Sequence, residues 1–374
     1  MQQSIFQKRL GLFRKRLKGT LLRDSSGAWI IQPENRRYLS GFKAEDAQLT
    51  ESSGSLLIDR NHNFLITDSR YTLEAQIDAV GFEVQTLKED LIEDFPHLVH
   101  RLGMKGLAFE QNYLTWGLHC RLREAFESLS PPVYLTPLDE VAEEMREVKD
   151  DVELRAIEAS AALVSSILDE IIDRLKPGTT EREAAWQIEG LAREAGADGL
   201  AFPSIVASGP NSALPHARPT DRKMRVREPI TLDVGVKLNG YCSDITRTVF
   251  LGGAGPELRK IYRTVRQAQL AAVKEVLAGV ESNNPDTVAR QIIRDEGFGE
   301  FFGHGLGHGV GLATHERPRL GPRKPVRLKK GMVVTVEPGI YVPGKGGVRL
   351  EEMVVIEEGG ARVLTKAHHF YDFD

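Results

Sequence analysis

The chain of 374 residues contains only two cysteines, Cys120 and Cys242, and they fall in different halves. Nothing in that usage supports a disulfide framework, so the fold must rest on its apolar core. Long hydrophobic runs are also missing. The first residues, MQQSIFQKRLGLFRKRLKG, scatter Lys and Arg through an apolar pattern and never reach an uninterrupted apolar stretch of about seven residues, which argues against a signal peptide. No later run approaches the length needed to span a bilayer, so no membrane partner and a cytoplasmic location are expected. There is no basic surplus either: the formal net charge is −4, which points away from nucleic acid. Aromatic residues are only 7%, against 41% apolar and 27% charged residues, the balance of a soluble globular protein. A chain this long exceeds a typical single core, so two domains are expected, at 1–147 and 148–374.

The first part alternates short strands and helices. An amphipathic helix is expected over 5–17, strands at 20–22, 28–31, 55–59, 63–67, 82–87, 105–109 and 133–135, and helices near 69–80, 91–102, 114–129 and 139–147. This rhythm predicts a mixed sheet flanked by helices, and it carries no catalytic motif. From about residue 148 the pattern changes. A long amphipathic helix is expected over 152–175, a second over 181–194 behind the capping box Thr180-Glu181-Arg182-Glu183, and a third over 256–278. A fourth is expected to start with Asn284 as N-cap and Pro285 at the first helical position. With strands at 205–207, 332–336 and 350–356, this part reads as an antiparallel sheet covered by helices on one side.

The chemistry concentrates in TLDVGVKLNGYCSDITRTVF, residues 231–250. Asn239-Gly240 between β-rich segments predicts a two-residue type I′ hairpin, because that turn needs positive φ at both central positions. In that register Gly235 faces Asp244 and Asp233 faces Thr246, so both aspartates leave one face as diagonal neighbours. Diagonal positions lie roughly 7–8 Å apart at the backbone, close enough for both carboxylates to hold one pair of metal ions. Without a cation the pair would be repulsive; with a solvated hairpin it would be ordinary surface. Cys242, on the same face, reads as a small buried residue.

Three further stretches could join them. The glycines of GHGLGHGVGLATHERP, residues 303–318, argue against a regular helix around His304, His308 and His315, and allow backbone and imidazole to approach a ligand closely. Glu337 closes the apolar run MVVTV and must be solvated, paired or metal-bound there. In VRLEEMVVI, alternation places Arg349 and Glu351 on one face and Glu352 on the other, without deciding which face meets the hairpin. The stretch GIYVPGK, residues 339–345, has the spacing of a phosphate loop but is followed by Gly346 and strand-like sequence, so it lacks the hydroxyl and helix that chemistry needs. The oxygen-rich set Asp233, Asp244, His308, Glu337 and Glu351 suits two divalent ions, Mn(II) most naturally, with Co(II) or Zn(II) possible. Such ions, about 3.5–4 Å apart, can make a shared hydroxide nucleophilic near neutral pH.

In type, order and spacing these five residues resemble the ligands of the creatinase, prolidase and aminopeptidase P group of dinuclear metallopeptidases, the M24-type "pita-bread" family. NRRYLSGF and DSRYTLEA resemble its N-terminal domain. The resemblance implies an α+β chain in which a smaller mixed α/β creatinase-like domain precedes a pita-bread catalytic domain. It implies that Asp233, Asp244, His308, Glu337 and Glu351 are the metal ligands, which favours Glu351 over Glu352. It also implies that His216 contacts substrate, that His315 polarises the scissile carbonyl, that His304 lines the pocket, and that Arg349 helps hold the substrate. The implied reaction is attack of a metal-bridging hydroxide on the Xaa-Pro bond of peptides with proline in second position, with Glu337 handling protons for the leaving amine. A homodimer is implied as well. A methionine aminopeptidase shares the five ligands but usually lacks the long first domain, and a non-catalytic relative would be expected to have lost ligands.

Overall fold

A computed structural model describes residues 2–20, 26–46 and 48–373, with the side chains of 2–4 and 18–20 left aside. The chain divides into two compact units, Met1–Met145 and Arg146–Asp374.

The first unit is built on a six-stranded mixed sheet. In spatial order its strands are Glu83–Thr86, Asn63–Thr67, Ser55–Ile58, Ser26–Ile30, Gly106–Glu110 and Tyr134–Leu138. The central pairings of Ser55–Ile58 are antiparallel, whereas the outer pairs are parallel. Helices Leu91–Arg101 and Trp116–Glu127 put Phe95, Leu98, Leu122 and Phe126 against Trp29, Leu57, Ile66 and Phe109 to form the core. The expected strand at 20–22 lies outside the described residues except for Thr20, which ends the opening helix Gln2–Thr20.

The second unit has only antiparallel pairings among its described strands. Two helix pairs cover it. Asp151–Arg174 and Glu181–Glu194 pack through Val164, Leu168, Ile171 and Ile188 onto Val206, Ile230, Leu232, Val234 and Val249. Pro256–Glu275 and Asn284–Asp295 pack through Ile261, Val265, Ala289 and Ile293 onto Val334, Val336, Val354 and Ile356. Period-two alternation gives each strand two characters: Ile230, Leu232 and Val234 face helices, and Thr231 and Asp233, also buried, face the other way. A polar inner surface is therefore enclosed between helix-backed sheets, and the site is built on it.

The capping box at Thr180 and Glu183 forms as the sequence predicts, and a second, at Asp150 and Glu153, opens the long helix. Each satisfies N–H groups that the first turn leaves free, for about 1 kcal/mol. The fourth helix departs from expectation by one residue. Its N-cap is Asn283, without a side-chain cap hydrogen bond, and Asn284 is already helical.

The hairpin keeps the expected register. Leu238 pairs with Tyr241, Lys237 with Cys242, and Thr246 with Asp233, while Asn239 and Gly240 have φ of 50° and 80°. It is not one continuous ladder. Two small sheets meet at Gly235 and Asp244, where a Cβ on Gly235 would lie 2.3 Å from the Phe202 ring and 2.5 Å from the Ser243 carbonyl. Only glycine fits opposite Asp244, and the break frees that aspartate from the ladder.

Candidate metal centre and peptide cleft

Asp233 ends on the inner face of Pro229–Val234, and Asp244 immediately precedes Ile245–Phe250. His308 is the middle residue of the short strand Gly307–Gly309. This strand runs so close to its neighbour that a Cβ on Gly307 would sit 2.0 Å from the Thr335 carbonyl oxygen, and its glycines are thus a packing requirement. Glu337 follows Val333–Val336, and Glu351 lies between Gly346–Arg349 and Glu352–Ile356, anchored by its N–H to the Thr246 carbonyl at 3.0 Å.

Asp244, His308 and Glu351, all buried, each place one ligand atom within 4.8 Å of the others. His308 Nε2 lies 3.6 Å from Asp244 Oδ2 and 3.5 Å from Glu337 Oε1. Its Nδ1 lies 3.0 Å from the Gly309 carbonyl, which assigns the proton to Nδ1 and turns the Nε2 lone pair toward the carboxylates. Asp233 is oriented differently: its Oδ2 accepts from Arg349 Nη2 at 2.7 Å. Glu351 Oε2 accepts from Thr246 Oγ1 at 2.7 Å. The remaining oxygens, Asp233 Oδ1 and Glu351 Oε1, are buried with no hydrogen-bond partner among the described residues. Buried polar atoms are nearly always satisfied, so two orphan carboxylate oxygens in a cleft that also presents an imidazole lone pair fit divalent cations.

The electrostatics agree. Burial, then the negative charges of Glu351, Asp233 and Glu337, raise the Asp244 carboxyl well above its ordinary value. Burial, then Glu337 and Asp233, do the same to Glu351. Burial foremost, with Asp233 adding to it, pushes Glu337 up to about 8. Burial, followed by His315, lowers His308 to about 3, so its imidazole is neutral and available as a ligand. Without cations the carboxylates hold protons; positive charge in their midst would displace them.

Of Glu351 and Glu352, Glu351 lines the cleft. Glu352 turns away from the cleft and accepts from Arg247 Nη2 at 2.6 Å, while Thr365 closes on its other oxygen.

Around this centre runs a cleft of about 1110 Å³ whose lining includes His216, His304, His315, Arg319 and Arg349. His315 lies against His308 with the rings tilted, centroids 4.3 Å apart, and burial lowers its pKa. Burial lowers that of His304 to about 4. His304 Nδ1 lies 2.8 Å from the Gly305 carbonyl and its Nε2 lies 2.9 Å from Tyr341 Oη, so Tyr341 donates to Nε2. Tyr341 in turn accepts from Arg349 Nη1 at 2.9 Å. Burial pushes the phenol up to about 12, which keeps it a donor.

Tyr341 is one residue that sequence reasoning missed. It lies inside the phosphate-loop look-alike, which forms the hairpin of Gly339–Val342 with Gly346–Arg349, as the strand-like sequence after it implied. The available signal was alternation, since Gly339 shares its face and a Cβ there would meet the Tyr341 hydroxyl at 2.4 Å.

Buried carboxylates hold the histidine loops. Asp286 accepts from the Leu306 N–H at 3.0 Å and pairs with Arg290, whose other N–H groups bond the Phe302 and His304 carbonyls. Glu316 accepts from the Ala313 N–H at 2.9 Å and pairs with Arg146 and Lys149. Burial opposes the Glu316 charge, but those two cations outweigh it and hold its carboxyl below the usual range.

Residues 155–358 match Metallopeptidase family M24, and residues 10–148 match the Creatinase/Prolidase N-terminal domain. The chain belongs to metallopeptidase family M24, with the pita-bread fold of its catalytic part. A Xaa-Pro dipeptidase of Pyrococcus furiosus is 34% identical, covering 90% of this chain and 92% of the relative. Among solved structures, a Xaa-Pro dipeptidase from Bacillus anthracis superposes with a TM-score of 0.90 at 34% identity, over 97% of this chain and 98% of that one. An X-Pro aminopeptidase from Thermotoga maritima does so with a TM-score of 0.83 at 37% identity, over 94% and 97%.

Proposed function

We propose that the protein is a metallo-exopeptidase that hydrolyses the Xaa-Pro peptide bond. The observation that carries this reading is the cluster of Asp244, His308 and Glu351, with Glu351 Oε1 lacking a hydrogen-bond partner among the described residues, at the floor of a cleft large enough for a short peptide. The relatives named for Xaa-Pro cleavage support the choice of bond.

Asp233, Asp244, His308, Glu337 and Glu351 are the proposed ligands of two divalent ions, and the predominance of oxygen donors favours Mn(II) over Co(II) or Zn(II). When bound, such ions supply a Lewis acid and a nucleophile usable near neutral pH. The protein's own residues do the rest. The Nδ1 bond to Gly309 fixes the tautomer and ring plane of His308. Glu337, 3.5 Å from His308 Nε2, handles the proton that the leaving proline nitrogen requires, the role the family resemblance gives it. His315, beside His308 at the cleft wall, donates to the carbonyl oxygen of the scissile bond as charge develops there. His216 and His304 contact the peptide, and Arg349 orients Asp233 and Tyr341. The family resemblance also supports a homodimer, a state that light scattering on the purified protein measures.

The deciding assay uses protein stripped with chelator and reloaded with Mn(II) or Co(II). Cleavage of Ala-Pro alone defines a dipeptidase, and cleavage of Ala-Pro-Ala an aminopeptidase. Release of methionine from Met-Ala peptides with neither proline substrate touched replaces this reading by a methionine aminopeptidase, and no hydrolysis at all by a binding protein.

A further inference from the structure

Glu181 is the first residue of the helix Glu181–Glu194, yet its side chain takes no part in capping that helix. The first turn is already capped by Thr180 and Glu183. The Glu181 carboxylate is fully buried and turned toward the segment 208–220. Oε1 accepts from the Ser208 N–H at 2.7 Å and from Ser208 Oγ at 2.8 Å. Oε2 accepts from the Thr220 N–H at 3.0 Å and from Thr220 Oγ1 at 2.6 Å. Asn211 Nδ2 lies 3.1 Å from both oxygens. One carboxylate thus ties the first residue of a loop to its last. Burying a carboxylate is costly unless its hydrogen bonds are made, and every donor used here lies on the loop.

What the loop carries explains the arrangement. Its far side is fixed to the inner sheet, where Ser212 Oγ accepts from the Gly347 N–H at 2.8 Å and the Pro215 carbonyl accepts from Arg349 Nη1 at 3.1 Å. His216, next to that carbonyl, is exposed and lines the cleft. Hydrogen bonds therefore run from Glu181 through the loop to Arg349, and from Arg349 to Asp233 and Tyr341.

We propose that Glu181 is a positioning residue for substrate: its carboxylate closes the 208–220 loop and so sets the place of His216 and of the Pro215 carbonyl at the cleft. This rests on the peptidase reading above, because His216 is given its role there. Preorganised contacts of this kind act on binding and orientation, and a displacement of about 1 Å is enough to lose them.

Glu181→Gln tests it. The amide keeps the shape but turns an N–H group toward donors on one side of the clasp, so one end of the loop is released. In the metal-free full-length protein, hydrogen exchange over 209–219 is expected to accelerate at least tenfold, with exchange over Pro256–Glu275 unchanged. In the reloaded enzyme KM for Ala-Pro is expected to rise about tenfold at unchanged metal content. On a His216→Ala background Glu181→Gln is expected to add less than a twofold further loss, because a clasp has no remaining effect once its histidine is gone. Unchanged exchange over 209–219, or losses that multiply fully with those of His216→Ala, overturns the proposal. If the wild-type chain cleaves no Xaa-Pro peptide, the peptidase reading falls while the exchange arm still decides whether Glu181 closes the loop. Should Glu181→Gln fail to fold, Thr220→Val removes one donor at an exposed position and must show the same pattern with smaller amplitude; wild-type exchange and KM in that variant overturn the proposal equally.

Discussion

Arg349 donates from Nη2 to Asp233 Oδ2 at 2.7 Å inside the protein, and leaves Asp233 Oδ1 without a partner among the described residues. The pair divides the aspartate into a held oxygen and a free one. Burial works against the Arg349 charge, but Tyr341, Asp233 and Glu337 outweigh it and keep the guanidinium protonated. Replacing Arg349 by Met leaves Asp233 buried and uncompensated, which typically costs about 3–5 kcal/mol. Urea unfolding of the metal-free variant is expected to show that loss at pH 8, and kcat/KM for Ala-Pro to fall at least about a hundredfold. A stable variant with full activity contradicts the assignment.

The raised Asp244, Glu351 and Glu337 carboxyls give metal removal a direction in pH. A carboxyl raised in the folded state favours the folded state below its unfolded value, and that contribution disappears as pH rises through the folded value. For Glu337 the window runs from 4.5 to about 8. The chelated protein is therefore expected to lose stability from pH 6 to pH 9 more steeply than the metal-loaded protein, measured by calorimetry at both pH values. Glu351→Gln removes one of the mutually repelling charges; it is expected to raise the melting temperature of chelated protein at pH 9 and to abolish the stabilisation that added Mn(II) gives.

In the first unit, Glu110 accepts from the N–H groups of Ile31 and Gln32 and from Asn35 Nδ2. Burial, then the charge of Glu143, nevertheless pushes its carboxyl up to about 7 from 4.5. By the same sign rule its contribution is complete below 4.5 and lost as pH passes about 7, an effect of up to about 3 kcal/mol. Urea titrations of the wild type between pH 5 and pH 8 are expected to show this decline, and Glu110→Gln to flatten it. An equal slope in both proteins sinks the idea.

The hairpin turn is a third place to intervene without touching a proposed ligand. Gly240 has φ of 80° and donates its N–H to Asp198 Oδ2 at 2.7 Å. Gly240→Val forces a β-branched residue into the left-handed region, at a cost of about 1–2 kcal/mol or more. Metal content after dialysis is expected to drop together with stability, since Asp233 and Asp244 share the register that this turn sets. Destabilisation at unchanged metal affinity would show that the turn and the site are independent.

The sequence by itself determined the local geometry: the Asn239-Gly240 turn, the shared face of Asp233 and Asp244, the alternation that separates Glu351 from Glu352, and the capping box at Thr180. These follow from periods of two and from turn chemistry, which act over a few residues. It could not show which side of a strand becomes the inner surface, because that depends on which sheet the helices cover. Hence Tyr341 stayed hidden in a look-alike motif, and Glu352 was recognised as the partner of Arg247 only in three dimensions. The roles of Glu181, Asp286 and Glu316 were equally out of reach. Each is an unremarkable acidic residue in sequence, and only the folded chain removes its carboxylate from water and sets it to accept from an N–H of a histidine-bearing loop.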